Sequence, residues 1–187
     1  MLFIAIFSGI AIIWERDLGI IHKFLASPTP RAALVLGKAL AASVRGLSQA
    51  VIIYVLALIL GVRMNWNPLA LLGVVIIVIL GAACFSTFSL IIACLVKTRE
   101  RFMGIGQVLT MPLFFASNAI YPVAIMPGWL QVIAHSNPLS YEVDALRTLM
   151  LAGATSTSGL ATDFLVMLVA VVVLVLLGAR LYPRVVR

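Results

Sequence analysis

The sequence predicts an all-α, polytopic bundle of transmembrane helices. Three observations carry this: 64% of the 187 residues are hydrophobic, only 10% are charged, and mean hydropathy is +1.21. Soluble domains carry roughly 25% charged residues, and a soluble fold of this length could not withdraw so much apolar surface from water. Lipid removes that difficulty.

A hydrocarbon core of about 30 Å needs about 20 apolar residues per helix. Met1–Ile13 is a partial span of about 20 Å, followed by Trp14-Glu15-Arg16-Asp17. It lacks the basic start and cleavage site of a signal peptide, so the expectation is that part of this helix lies upstream of the chain. Further spans are expected at about 32–60, 69–96, 102–126 and 160–179, about five in all within a single domain 1–187. Ten basic residues (Arg16, Lys23, Arg31, Lys38, Lys97, Arg99, Arg101, Arg180, Arg184, Arg187) fall on one side of this alternation. That side is expected to be the cytoplasm, with the C-terminus inside. The same rule accounts for the net charge of +7 without nucleic acid. Arg45 lies within the second span.

The stretch 14–31 is too charged to cross lipid, yet Leu18, Ile21 and Leu25 recur at helical spacing before Pro28 and Pro30. It reads as an amphipathic helix at the membrane surface, either a plain interfacial anchor or a docking element for a cytoplasmic subunit. On the other side, Pro122, Pro127 and Gly128 stop the fourth span. Asn137-Pro138 reads as an N-cap with proline in the first turn. The short helix Leu139–Leu151 carries Leu139, Val143, Leu146 and Met150 on one face, and Asp144 and Arg147 are spaced to pair. The region 122–159 is therefore expected to be an external re-entrant or interfacial element.

Inside the spans, Gln107, Thr110, Phe114 and Asn118 share roughly one face of the fourth helix, and Ser86, Thr87 and Ser89 interrupt the third. In lipid such groups turn to other helices or to a polar path. Gly73 and Gly81 suggest close packing. Cys84 and Cys94, ten residues apart on one helix, lie about 15 Å apart, too far for a disulfide. Val35-Leu36-Gly37-Lys38-Ala39 has alanine at 32 where a phosphate loop needs glycine, and Ala39 where it needs Ser or Thr. His22 and His135 fall on opposite sides of the membrane and cannot share a metal. No catalytic motif, metal set or bound cofactor is expected, and any transport energy is expected to come from another subunit.

Glu15-Arg16-x-x-Gly19 ending in Ser27-Pro28, Met111-Pro112-Leu113-Phe114-Phe115 with Ser117, Asn118 and Pro122, and Asn137-Pro138-Leu139-Ser140-Tyr141-x-x-Asp144-Ala145-Leu146-Arg147 together resemble the type-2 ATP-binding-cassette exporter permeases, in the family's order. The resemblance implies a subunit of six helices in the inner membrane that pairs with a second permease subunit and with separate ATPase subunits, which bind the ATP and magnesium. It implies a coupling helix with Glu15, Gly19 and Phe24 against the ATPase, and an outer gate supported by Asn137, Pro138, Tyr141, Asp144 and Arg147. Gln107, Thr110, Phe114 and Asn118 would line the path or pack helices. The implied cargo is drug-like or lipid; a polysaccharide or glycolipid exporter and a non-transporting membrane anchor are the alternatives.

Overall fold

The computed structural model describes residues 2–20, 30–96 and 98–182. Among the described residues, eight α-helices follow one another: α1 Leu2–Phe7, α2 Gly9–Asp17, α3 Arg31–Ile59, α4 Pro68–Leu95, α5 Arg99–Phe115, α6 Gly128–Ser136, α7 Pro138–Met150 and α8 Leu160–Leu181, with a 3-10 turn at Val123–Ile125. Three are long and apolar enough to cross a membrane: Ala32–Ile59, Pro68–Leu95 and Leu160–Leu181, with mean hydropathies of 1.8, 2.8 and 2.9.

The central element is α4. More than half of its most apolar stretch is buried (56%), against 22% in α3 and 17% in α8, and it packs on α1, α2, α3, α5, α7 and α8. Its apolar character all round is that of a helix surrounded by protein. Asn67 starts it, its side chain accepting the Leu69 amide at 3.1 Å with Pro68 in the first turn, the arrangement that suits a residue without an N–H. By contrast α3 leaves Leu40, Val44, Val51, Leu56 and Ile59 outward-facing, an apolar surface that lipid covers. Cys84 and Cys94 are free and buried on α4.

Polar residues on α4 face other helices. Ser86 Oγ lies 3.2 Å from Ser8 Oγ, and Ser89 Oγ accepts the Gly9 amide at 3.0 Å while donating to the Ile6 carbonyl. The Ser89 hydroxyl therefore inserts where α1 gives way to α2. Gly73 and Gly81 form a shallow notch for α7. A Cβ on Gly73 would stand 3.0 Å from Leu149 Cδ1, and one on Gly81 would overlap the Glu142 carboxyl.

Two boundaries differ from the sequence expectation. The first helical stretch continues through Asp17 rather than closing at Ile13. The fourth, expected to reach Met126, stops at Phe115 after 17 residues, or about 26 Å. The composition stays apolar beyond that point, but the last carbonyls of α5 have found other partners.

Candidate functional site

At one end of the bundle, the helix that carries Glu15 is clamped to its neighbours. Glu15 pairs with Lys38 of α3. Asp17 takes Arg99 Nη2 at 2.9 Å, and the same guanidinium stacks 4.5 Å from the centre of the Trp14 ring, a favourable cation–π geometry. Arg16 donates to the Val96 carbonyl at 3.2 Å. The end of α2 thus grips both α3 and the turn between α4 and α5. Beyond it, Gly19 holds φ at +71° with open space where a Cβ would stand. That left-handed backbone favours glycine and, among other residues, asparagine. Phe24 lies outside the described residues. Lys38, which gave the stretch its likeness to a phosphate loop, is the partner of Glu15.

At the other end, Asn137 joins two helices. Its Oδ1 accepts the Leu139 amide at 3.0 Å, capping α7, with Pro138 in the first turn. Its Nδ2 donates to the Leu113 carbonyl at 2.7 Å and the Ala116 carbonyl at 3.1 Å. This is why α5 ends at Phe115: carbonyls that another turn of helix would have used go to a side chain 21 to 24 residues on. Ser117 Oγ adds a bond to the Phe114 carbonyl at 2.7 Å. Asn118 consequently sits past the helix end, not on a continuous face with Gln107, Thr110 and Phe114. Those three separate as well: Gln107 is exposed, Thr110 is buried and donates to the Gly106 carbonyl of its own helix, and Phe114 is half-buried.

The expected Asp144–Arg147 pair does not form. Asp144 instead receives the Thr157 amide at 2.8 Å, the Thr157 hydroxyl at 2.8 Å, the Ser158 amide at 3.2 Å and the Ser156 hydroxyl at 3.0 Å. Two backbone amides and two hydroxyls preorganised by the 151–159 connection outcompete one flexible guanidinium at i+3, whose helical pairing contributes only about 0.2–0.5 kcal/mol. Burial raises the Asp144 carboxyl, but these four hydrogen bonds outweigh it and hold the group below its ordinary range. A carboxyl with a depressed folded pKa stabilises the fold above the unfolded value and loses that contribution as pH falls through the folded one. The 151–159 connection should therefore stay protected from proteolysis at neutral pH and lose protection only in strong acid. Asp144→Ala should expose it at neutral pH, a difference that limited proteolysis of the solubilised protein would detect.

Arg147 turns the other way and donates to the Asn118 carbonyl at 3.1 Å. Tyr141 donates its hydroxyl to the His135 carbonyl at 2.8 Å, holding α6 to α7. Asn118, Tyr141, Asp144 and Arg147 line one polar recess of about 160 Å3, with Ser140. Four of the residues expected at the outer gate or on the path are thus brought together, and Asn137 fastens their support.

Sequence reasoning missed Glu142. Only 2% exposed, it projects from α7 onto Gly81 of α4, and its Oε2 has no hydrogen-bond partner among the described residues. Burial raises this carboxyl to about 7. A signal was available: Glu142 lies three residues after Leu139 and four before Leu146, on the apolar face of α7. Arg45 is a second notable group. It sits midway along α3 with an exposed side chain and no ion pair among the described residues. Charges at that depth face a polar cavity or a protein partner. Among the described residues there is no cluster of three or more potential metal ligands.

Comparison with known proteins places the chain in a family. A transport permease (ycf38) of Cyanophora paradoxa is 31% identical over 147 residues, covering 76% of this chain and 49% of the relative. The daunorubicin resistance ABC transporter permease protein DrrB1 of Streptomyces coeruleorubidus is 26% identical over 145 residues, 78% of this chain and 51% of its own length. The multidrug ABC transporter permease YbhR of Escherichia coli K12 is 29% identical over 156 residues, 81% of this chain and 41% of its own. The chain spans about half the length of these relatives. No solved structure matches it. The ABC-2 type transporter profile matches residues 1–151, which include both the clamped end of α2 and the Asn137 junction, and the chain belongs to that family.

Proposed function

We propose that this chain is the membrane permease part of an ATP-driven exporter of hydrophobic, drug-like or lipid molecules, working with a separate ABC ATPase and a second permease subunit in the cell membrane. The clamped end of α2 would face the cytoplasm, and the Asn137 end would face outward. One observation carries the reading: α5 is gripped at both ends. Arg99 at its start is held by Asp17 and Trp14 of α2, and the Leu113 and Ala116 carbonyls at its finish are held by Asn137 of α7. A displacement delivered to α2 by an ATPase closing on nucleotide is transmitted along about 26 Å of helix to the outer module. Such a device shifts a two-state equilibrium because ATP binding favours one state over the other. The names of DrrB1 and YbhR, which refer to daunorubicin resistance and multidrug transport, support the cargo class.

The test is reconstitution of the full-length permease with its ABC ATPase, reading ATP turnover and ATP-dependent accumulation of dye in inside-out vesicles. Gly19→Val should leave assembly intact and reduce stimulated turnover about tenfold. Gly19→Asn, which tolerates the same backbone, should retain most of it. Failure to associate, or equal turnover in both variants, removes the coupling assignment. Orientation is checked separately in a background of Cys84→Ala and Cys94→Ala. Trp129→Cys, on the exposed face of α6, should react with a membrane-impermeant maleimide on intact cells, and Thr98→Cys only after permeabilisation.

A further inference from the structure

Two buried carboxyls meet at a single hydroxyl where the 151–159 connection joins α7 to α8. Ser156 Oγ lies 3.0 Å from Asp144 Oδ2 and 3.0 Å from Asp163 Oδ2, and it accepts the Gly159 amide at 2.7 Å. A serine hydroxyl has one proton and two lone pairs. The Gly159 N–H takes one lone pair, and the proton can serve only one carboxyl. The other carboxyl oxygen faces the remaining lone pair, a contact that is attractive only if that carboxyl brings a proton of its own. Asp144 is poorly placed to bring it. Its Oδ2 already receives the Thr157 and Ser158 amides at 2.8 and 3.2 Å, and its Oδ1 the Thr157 hydroxyl at 2.8 Å, donors that suit an ionised group. Asp163, in the first turn of α8, is 0% exposed, and its Oδ1 has no hydrogen-bond partner among the described residues. Neither acid has an ion pair among those residues. On α7, Arg147 donates to the Asn118 carbonyl and Glu142 rests against Gly81. Of the other helices packed on α8, α4 has no charged residue and α3 none beyond Arg45. A helix start favours a negative charge only modestly, whereas a carboxylate sealed from water with a bare oxygen is costly.

We infer that Asp144 and Asp163 form a proton-binding site that holds one proton between them: neutral Asp163 donates to Ser156, and Ser156 donates to ionised Asp144. Every hydrogen and lone pair of the Ser156 hydroxyl is then used, with the Gly159 amide as its second donor. The relay runs from α8 through the connection to α7, so the bound proton fastens the two helices together at this end. Without it the hydroxyl could serve only one of them, and a carboxylate oxygen would face a lone pair. The inference concerns this junction alone and stands whatever the cargo.

The experiment is infrared difference spectroscopy on the full-length permease with its ATPase in nanodiscs, without nucleotide, at neutral pH, paired with limited proteolysis of the 151–159 connection. The wild type should show the C=O stretch of a protonated carboxyl that Asp163→Asn removes and Asp144→Asn does not. Asp163→Asn, whose amide supplies the same donor permanently, should keep the cleavage rate within about twofold of wild type, which shows that the band is lost from a folded protein. Asp163→Ala, which supplies no donor, should speed cleavage about tenfold, the scale of one buried hydrogen bond. No carboxyl band lost in Asp163→Asn, or a band lost in Asp144→Asn instead, would overturn the proposal. So would equal cleavage of the Asn and Ala variants. A wild type that lacks the band and is protected in proportion to added sodium would place a metal ion there in the proton's stead, and would overturn it too.

Discussion

Asn137→Asp is expected to destabilise the protein at least as much as Asn137→Ala, by roughly 3 kcal/mol or more, and, under the proposed export function, to abolish transport. At an ordinary helix start the two residues are equivalent caps, and a negative charge there is mildly favourable. Here the side chain has a second duty that only an amide can perform. Nδ2 donates to the carbonyls of Leu113 and Ala116, in a site where the residue is 3% exposed. Aspartate keeps the cap to Leu139 but turns a bare carboxylate oxygen towards two carbonyl oxygens, with no donor to satisfy any of the three. Alanine loses the cap and both bonds without adding that repulsion. Thermal unfolding of the detergent-solubilised transporter, followed by size-exclusion fluorescence, should rank wild type above Ala and Ala at or above Asp. Mild acid should recover part of the Asp loss, since a protonated carboxyl regains one donor. An Asp variant as stable as wild type at neutral pH would show that the junction between α5 and α7 does not depend on the amide.

What could be read in advance follows from the range of the interactions involved. The spanning character of α3, α4 and α8 was legible because twenty apolar residues in a row have one physical solution in lipid. The start of α7 was legible because Asn137-Pro138 is a local cap. The notch at Gly73 and Gly81 was visible as a hint and is explained by Leu149 and Glu142 resting there. Where tertiary partners decide, the pattern misled. Asp144 and Arg147 have the spacing of a helical pair, but Thr157 and Ser158 supply better donors from beyond the helix. The apolar run after Phe115 looks like more helix, but Asn137 claims the carbonyls. Glu15, which the family resemblance sets against an ATPase, also pairs with Lys38 of the next helix, a contact that its own segment does not announce. The clamp at the end of α2 also joins residues far apart in the chain, Arg99 to Asp17 across 82 positions, and no window of sequence contains both.

The second large effect is expected at the crossing of α2, α4 and α5. Gly9→Ala should cost about 3 kcal/mol and, under the proposed export function, uncouple ATP turnover from transport. The chain keeps helical angles at Ser8, but the Ser8 hydroxyl and amide occupy the Ala5 carbonyl at 2.6 and 3.2 Å. The Gly9 amide is thereby released to Ser89 Oγ at 3.0 Å. That bond requires α4 to approach closely enough that a methyl group on Gly9 would stand 2.7 Å from Phe102 Cζ and 2.9 Å from the Ser89 carbonyl oxygen. The ring could turn aside; the carbonyl belongs to the backbone of the central helix and cannot. Phe102→Leu should therefore rescue Gly9→Ala only in part, in stability and in coupling alike. Ser89→Ala, which removes the inserted hydroxyl but not the carbonyl, should also fall short of rescue. Full recovery by either second substitution would mean that side chains alone set the approach, and that α2 is free to move relative to α4 without dragging the backbone contact that carries its motion into α5.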